Sequence, residues 1–239
     1  MSSKDLDPKV IVALDYPDVR QALRFVQKVT PRDCALKVGK ELFTASGPKF
    51  VEKLAGKGFR VFLDMKFHDI PNTVAAALLQ AADLGVWMVN VHCLGGPKML
   101  AAASTAMAKL TKRPLLIGVT ILTSIDDGQL RCIGIESSME EEVLLLARLA
   151  RDAGLDGVVS SAHEAAAIKQ ATDESFITVT PGIRLIESSS DDQSRVMTPF
   201  QAIENQADYL VMGRPITKSP DPVATLAAVN QEVREALGG

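Results

Sequence analysis

The sequence predicts an α/β fold, specifically a (β/α)₈ barrel, from three observations. Short apolar runs alternate with longer helical patterns along the chain. Eight such runs fit within the 239 residues. Most runs are apolar at nearly every position, which is typical of parallel strands covered on both faces. An open doubly wound sheet is the alternative, but it usually has fewer strands at this length, so we expect one barrel domain over residues 1–239.

The predicted strands follow one another at regular intervals. In order they are VIVAL (10–14), CALKV (34–38), RVFLD (60–64), MVNVH (88–92), LLIGVT (115–120), GVVSS (157–161), FITVT (176–180) and YLVMG (209–213). Helical patterns lie between most of them, including DVRQALRFVQKV, MEEEVLLLARLARDAG and DPVATLAAVNQEVREAL. No break in composition marks a domain boundary.

Composition and charge exclude several classes of function. A formal net charge of −3 and a pI near 5.7 argue against nucleic acid as a partner. No apolar run approaches the roughly 18 residues of a membrane helix, so we expect no membrane partner. The cysteines Cys34, Cys93 and Cys132 are odd in number and lack metal-ligand spacing. The polar start, MSSKDLDPK, shows no signal peptide. Together with this start, the three cysteines favour a cytoplasmic protein.

Polar residues fall where the predicted strands end. They are Asp15, Lys37, Asp64, His92, Thr120, Thr123, Pro181, Gly182, Arg184, Gly213 and Arg214. In a (β/α)₈ barrel the carboxyl ends of the strands form one face, and that face carries the active site. A solvated loop would explain any one of these residues, but their recurrence over seven strand ends favours a shared site.

The segment LDMKFHDIPNT (63–73) concentrates charge directly after a predicted buried strand. It places Asp64, Lys66, His68 and Asp69 within a few residues. Charged side chains are rarely buried unless they are paired. The segment is therefore either an ordinary exposed loop or part of a site.

Two later segments indicate a phosphate site. TPGIR follows the seventh strand and VMGRP follows the eighth, where barrels of this class often bind phosphate. Glycine lets backbone N–H groups approach an anion, and the planar guanidinium groups of Arg184 and Arg214 match phosphate oxygens. Each motif alone could be a plain turn. The Ser- and Asp-rich stretch at about residues 184–198 is either a linker or, as we expect, a mobile phosphate-binding lid.

These motifs together resemble the bacterial type of the orotidine 5′-phosphate decarboxylase family. The resemblance rests on Asp-x-Lys-x-x-Asp in DMKFHDIPNT, on LKVGKELF, TPGIR, DDQ and MGRPIT, in order from about residue 10 to 222. It implies a homodimeric (β/α)₈ barrel without cofactor or metal that converts orotidine 5′-monophosphate to UMP in pyrimidine synthesis. One departure is HCLGG, where a smaller Ala or Ser is expected in place of Cys93; a buried filler role is expected for it.

The resemblance also implies roles for the charged residues. Lys66 would be the proton donor to C6 of the pyrimidine. It would stand in an alternating row formed by Lys37, Asp64, Lys66 and the partner subunit's Asp69. Asp64 would lie near the substrate carboxylate, a like-charge contact that disappears as carbon dioxide leaves and so favours the transition state.

Further residues are implied to bind substrate. The phosphate would be bound by Arg184, Gln193 and Arg214, with Pro181 and Gly213 nearby. The ribose would be bound by Asp15 and Lys37, with Thr73 from the partner subunit, and the pyrimidine by Thr123. Ile70 would also reach into the partner subunit's site. His68 matches the motif but has no step in the reaction, so a structural hydrogen-bonding role is expected.

Two alternatives stay open at this point. A Mg²⁺-dependent sugar-phosphate decarboxylase or aldolase shares Asp-x-Lys-x-x-Asp but needs a further acidic ligand near the second strand, where Glu41 is the nearby acid. DIPNT and DDQ fit the cofactor-free family better. A non-catalytic nucleotide-binding barrel is the second alternative, and the presence of Lys37, Asp64, Lys66 and Asp69 argues against it.

Overall fold

A computed structural model describes residues 7–185 and 197–238. It confirms the (β/α)₈ barrel: eight parallel strands pair in sequence order, and the first pairs with the last to close the sheet. The strands are β1 Val10–Ala13, β2 Ala35–Gly39, β3 Val61–Phe67, β4 Met88–His92, β5 Leu115–Val119, β6 Gly157–Val159, β7 Ile177–Pro181 and β8 Tyr209–Met212.

Helices surround the barrel. They are α1 Val19–Val26, α2 Lys40–Ser46, α3 Pro48–Gly56, α4 Pro71–Asp83, α5 Gly96–Ala108, α6 Asp127–Cys132, α7 Met139–Asp152, α8 Ala165–Ala171, α9 Pro199–Glu204, α10 Arg214–Thr217 and α11 Pro222–Ala236. In the described part of the chain, no helix combines the length and the apolar character required to cross a membrane.

The strands are buried on both faces, as predicted, so the core has two layers. Alternate strand residues fill the barrel interior, and the others pack against the helices. Thus Ile11 and Ala13 of β1 belong to the interior cluster, whereas Val10 and Val12 belong to the outer one. The interior cluster consists of Ile11, Ala13, Ala35, Phe62, Met88, Ile117, Val179, Tyr209 and Val211. This side-chain packing fixes the positions from which the strand ends project.

Capping residues set where the helices begin. The carboxylate of Asp18 accepts a hydrogen bond from the backbone N–H of Gln21 at 2.9 Å at the start of α1. Ser138 and Glu141 form a reciprocal capping box at the start of α7. Such caps are worth about 1 kcal/mol each because they satisfy backbone donors that the first turn leaves unpaired. They fix the residues at which α1 and α7 begin.

Strand β3 corrects one sequence-based expectation. The prediction ended this strand at Asp64, but β3 continues to Phe67. The register with β4 shifts inside it: Leu63 lies opposite Val89, and Phe67 lies opposite Val91. Lys66 adopts a left-handed backbone conformation with φ of +49°. Asp64 and Lys66 therefore lie in a bulge within the sheet, whereas His68 and Asp69 follow the strand. Bulges of this kind re-aim side chains next to active sites.

Candidate active site

A cavity of about 350 Å³ opens at the carboxyl ends of the strands. Ten of the residues singled out in the sequence line it: Asp15, Lys37, Asp64, Lys66, Thr123, Pro181, Gly182, Arg184, Gly213 and Arg214. They follow or end strands β1, β2, β3, β5, β7 and β8, which are parallel and therefore end at the same face. The cavity thus gathers residues that are up to about 200 positions apart in the chain.

A row of opposite charges lies along one wall of this cavity. The two oxygens of Asp64 are shared between two lysines: Oδ1 lies 2.6 Å from Nζ of Lys66, and Oδ2 lies 3.2 Å from Nζ of Lys37. Nζ of Lys37 also lies 3.5 Å from Oδ1 of Asp15. The row therefore runs Asp15, Lys37, Asp64, Lys66, with each cation beside at least one carboxylate.

Asp64 is the most buried member of this row, at 8% exposed. Burial by itself would raise the pKa of its carboxyl, but the ammonium groups of Lys37 and Lys66 and the bonds from Lys66 and Asn90 together lower the pKa below the ordinary value. Asp64 is consequently a carboxylate held charged in a poorly solvated place. Such a group repels any second anion brought beside it.

Asn90 is a site residue that sequence reasoning missed. It lies in the middle of β4, is fully buried, and donates from Nδ2 to Oδ1 of Asp64 at 2.8 Å. Its Oδ1 accepts the backbone N–H of Lys66 at 2.7 Å. The signal was available, because MVNVH has one amide in an otherwise apolar strand, and a buried amide needs partners.

The two predicted phosphate-binding arginines line the same cavity. Arg184 and Arg214 are exposed and follow β7 and β8. Gly182, in TPGIR, has φ of +86°, a conformation that favours glycine. A Cβ on Gly213 would lie 3.1 Å from Oδ2 of Asp15, so this glycine lets the β8 loop pass close to the β1 end. Both glycines thus serve the shape of the cavity.

Three predicted residues lie away from this cavity. Asp69, Ile70 and Thr73 are exposed beyond the end of β3 and at the start of α4, and Ile70 is 67% exposed. Oδ1 of Asp69 accepts the backbone N–H of Ile70 at 2.6 Å. Among the described residues, no ion pair joins Asp69 to Lys66. In the described part of one chain the charge row therefore ends at Lys66.

Part of the predicted site lies outside the described residues. Gln193 and most of the expected lid at about 184–198 fall in residues 186–196, which the structure does not describe. Their predicted roles stay predictions.

Two histidines stand beside the charge row. The exposed ring of His68 stacks on His92 at 5.5 Å between centroids and 25° between planes. Among residues 7–185 and 197–238 its side chain makes no hydrogen bond, so the hydrogen-bonding role expected for it stays a prediction. Nδ1 of His92 is buried and has no hydrogen-bond partner among the described residues. Burial, with the nearby His68, Lys66 and Lys40, lowers the pKa of His92 to about 4. His92 is therefore neutral at physiological pH.

Cys93 follows His92 and is fully buried. Burial raises the pKa of its thiol to about 12. A thiol in this state is a small apolar filler, which agrees with the expectation from the sequence.

The sequence of this chain is similar to a known family and to several of its members. The model of the orotidine 5′-phosphate decarboxylase / HUMPS family matches residues 8–229. The chain is 57% identical over 229 residues to the orotidine 5′-phosphate decarboxylase of Chromobacterium violaceum, covering 96% of this chain and 93% of that protein. The enzyme of the same name from Legionella pneumophila (strain Lens) is 56% identical over 229 residues, covering 95% of this chain and all of that protein.

Solved structures agree with the sequence comparison. The crystal structure of orotidine 5′-phosphate decarboxylase from Lactobacillus acidophilus superposes with a TM-score of 0.85 at 38% identity, covering 95% of this chain and 99% of that one. An uncharacterized conserved protein from Geobacillus kaustophilus superposes with a TM-score of 0.81 at 39% identity, covering 94% of this chain and 99% of that one.

Proposed function

The chain belongs to the orotidine 5′-phosphate decarboxylase / HUMPS family, and we propose that it decarboxylates orotidine 5′-monophosphate to UMP in pyrimidine biosynthesis, with Lys66 as the proton donor to C6. The observation that carries the proposal is the position of Lys66 in the cavity, with its ammonium 2.6 Å from a buried carboxylate. The substrate follows from relatives of that name more than half identical over nearly the whole chain.

The reaction needs a cation and a proton at one carbon. When the bond between C6 and the carboxylate breaks, carbon dioxide leaves and the electron pair stays on C6. The ammonium of Lys66 stabilises this negative charge and then transfers a proton, so that a C6–H bond forms as an N–H bond breaks. The neutral amine regains its proton from solvent before the next turnover.

Asp64 contributes by its charge. The substrate carboxylate must lie close to Lys66 and hence close to Asp64, which stays ionised. This like-charge contact is present in the bound substrate and fades as carbon dioxide leaves, so it favours the transition state over the ground state. The ammonium groups of Lys37 and Lys66 hold Asp64 in place against the repulsion.

Binding energy from the far end of the substrate offsets that repulsion. Arg184 and Arg214 line the same cavity as Lys66 and offer charge-assisted hydrogen bonds to the 5′-phosphate, with Pro181 and Gly213 shaping the wall. We assign the ribose hydroxyls to Asp15 and Lys37 and the pyrimidine to Thr123. Energy from groups remote from the reacting carbon can thereby be used for catalysis.

We further propose that the enzyme is a homodimer with shared sites. Within one chain the charge row stops at Lys66, while Asp69, Ile70 and Thr73 are exposed outside the cavity. In a two-fold dimer these residues would extend the row and the ribose contacts of the neighbouring subunit. The cytoplasmic location expected from the sequence stays a prediction.

A metal-dependent sugar-phosphate reaction is the alternative within the wider family. It would require Glu41 as an additional acidic ligand. Glu41 is exposed in the first turn of α2 and lines a smaller adjoining cavity with Asp64 and Lys66. Among the described residues, however, no three His, Cys, Asp or Glu side chains are grouped so that they could hold a metal ion. We therefore favour the metal-free reaction.

One assay tests the proposal. Purified protein is mixed with orotidine 5′-monophosphate, and the change in ultraviolet absorbance is followed with and without excess EDTA. We expect conversion to UMP at the same rate in both. No conversion would defeat the proposed function, and loss of activity in EDTA would favour the metal-dependent alternative.

A further inference from the structure

Asn90 makes two contacts that the proposed reaction does not by itself explain. Its amide lies between the two charged residues of β3 that face the substrate: Nδ2 donates to Asp64 at 2.8 Å, and Oδ1 accepts from the backbone of Lys66 at 2.7 Å. The side chain is fully buried and sits on the neighbouring strand β4. A single carboxamide thus connects the carboxylate of one residue to the main chain of the other.

The bulge in β3 explains why such a contact is needed. Between the pairs Leu63–Val89 and Phe67–Val91, β3 has two more residues than β4, so the regular ladder is interrupted. The backbone N–H of Lys66 falls in this interruption, and Lys66 itself is in the left-handed region, which is unfavourable for a non-glycine residue. Asn90 supplies the acceptor that the ladder does not. It therefore stabilises the backbone conformation that aims the lysine.

The chemistry of the amide fits both neighbours in one orientation. The carboxylate of Asp64 can only accept, and the N–H of Lys66 can only donate. Asparagine offers a donor and an acceptor on one planar group, so each neighbour meets its complement. Rotating the amide by 180° would put a carbonyl oxygen against the carboxylate and an NH₂ group against the N–H. Leucine, of nearly the same size, can bond to neither neighbour. An ionised aspartate can accept from the N–H of Lys66 but cannot donate to Asp64.

We infer that Asn90 is a positioning residue for the proton transfer, which fixes the Asp64 carboxylate and the Lys66 backbone in one arrangement and so aims the ammonium at C6. The inference rests on the proposed decarboxylation and adds a residue to it. Asn90 does not line the cavity and acts on the substrate only through its two neighbours. Its loss should reduce kcat far more than it weakens nucleotide binding, because the phosphate and ribose contacts lie elsewhere.

The test uses two variants of Asn90 in the full-length protein. Asn90→Leu removes both hydrogen bonds, and Asn90→Asp replaces the NH₂ donor with an ionisable oxygen. We expect kcat to fall roughly 100-fold in both at pH 8, the scale of loss when a catalytic group is displaced by about 1 Å. The Kd for UMP, measured by calorimetry, should stay within about threefold of wild type. Thr178→Val is the matched control. Thr178 is as buried as Asn90, but it lies near the amino end of β7, where its hydroxyl hydrogen-bonds to Gln206 and Asp208.

The pH profile separates positioning from simple structural support. A protonated aspartic acid at position 90 has the shape of the native amide: its O–H can donate to Asp64, and its carbonyl can accept from Lys66. Between pH 8 and 5 the ratio of Asn90→Asp to wild-type kcat should therefore rise at least tenfold, while the ratio for Asn90→Leu should stay flat. Over this range Asp64 remains ionised and His92 remains neutral, since the pKa of each is lowered, that of His92 to about 4.

Three results would overturn the inference. The first is kcat within about threefold of wild type in both variants; the second is an equal loss in kcat and in UMP binding; the third is a flat ratio for Asn90→Asp. If neither variant folds, Asn90→Thr decides, because its smaller β-branched side chain suits a strand and its hydroxyl can serve only one of the two neighbours. Unchanged kcat in that variant would also overturn the inference. Inactive wild-type protein would instead defeat the proposed function itself.

Discussion

The ammonium of Lys66 lies 2.6 Å from Oδ1 of Asp64, although the two residues belong to a bulge and Lys66 has a left-handed backbone. The contact brings a cation and a buried anion to the point where the cavity meets β3. Because Asp64 keeps Lys37 as a second partner at 3.2 Å, it is not left unpaired when Lys66 is changed. Variants of Lys66 can therefore be studied in a folded protein.

Lys66→Ala should abolish turnover while UMP still binds. The substitution removes the proton donor and leaves Arg184, Arg214 and Asp15 in place. Turnover is measured by absorbance and UMP binding by calorimetry. Lys53→Ala, on the exposed surface of α3, is the control and should behave as wild type. Near-normal turnover in Lys66→Ala would remove this residue from the mechanism.

Arg214→Ala should lower kcat/KM by a factor that corresponds to about 3 kcal/mol, since charge-assisted hydrogen bonds to phosphate are among the strong ones. Steady-state kinetics with orotidine 5′-monophosphate measures the effect. Arg148→Ala, exposed on α7 and away from the cavity, should change little. If orotidine without its phosphate reacted as fast as the nucleotide, the arginine would have no catalytic use.

Subunit mixing tests the proposed shared site. Homodimers of Lys66→Ala and of Asp69→Ala should each be nearly inactive. In a heterodimer both lesions fall in one site and neither in the other, if the lysine of one chain pairs with the aspartate of the other. Random exchange makes about half of the dimers heterodimers, so roughly a quarter of wild-type activity should return. Exchange proven by mass spectrometry without recovery would show that Asp69 does not act across an interface.

Stability should depend on the protonation of His92. Its folded-state pKa is about 4, below the ordinary value of 6.5, so the unfolded chain binds the proton first as pH falls. The free energy of unfolding is then fully maintained above pH 6.5 and declines as pH falls from 6.5 toward 4. The decline should be shallower in His92→Gln and unchanged in His163→Gln, an exposed histidine. Urea unfolding at several pH values measures it, and equal slopes in all three proteins would contradict the assignment.

Most of the fold could be predicted because its signals are local. Each strand is a short apolar run, and parallel pairing places every strand end at one face, so Asp15, Lys37 and Arg214 could be placed together without knowing any distance. The same rule predicts a site at the carboxyl ends of the strands, where the cavity lies.

The parts that escaped prediction depend on partners distant in the chain. The extension of β3 to Phe67 is set by its register with β4, which no pattern within residues 60–67 encodes. Asn90 was passed over because a single amide in an apolar strand carries no motif. The role proposed for Asp69 would depend on a second chain, so one sequence could indicate it only through a family resemblance.

Closure of the barrel through β1 and β8 also affects how the protein is made. During synthesis β1 emerges before the other seven strands, but one of its edges stays unpaired until residues 209–212 leave the ribosome. A sheet that forms earlier in translation has an open apolar edge, and such edges are prone to aggregation. Arg214 lies two residues after β8, so the lining of the cavity is complete only after this edge can be covered. Nucleotide capture by stalled nascent chains of increasing length would then report completion of the sheet.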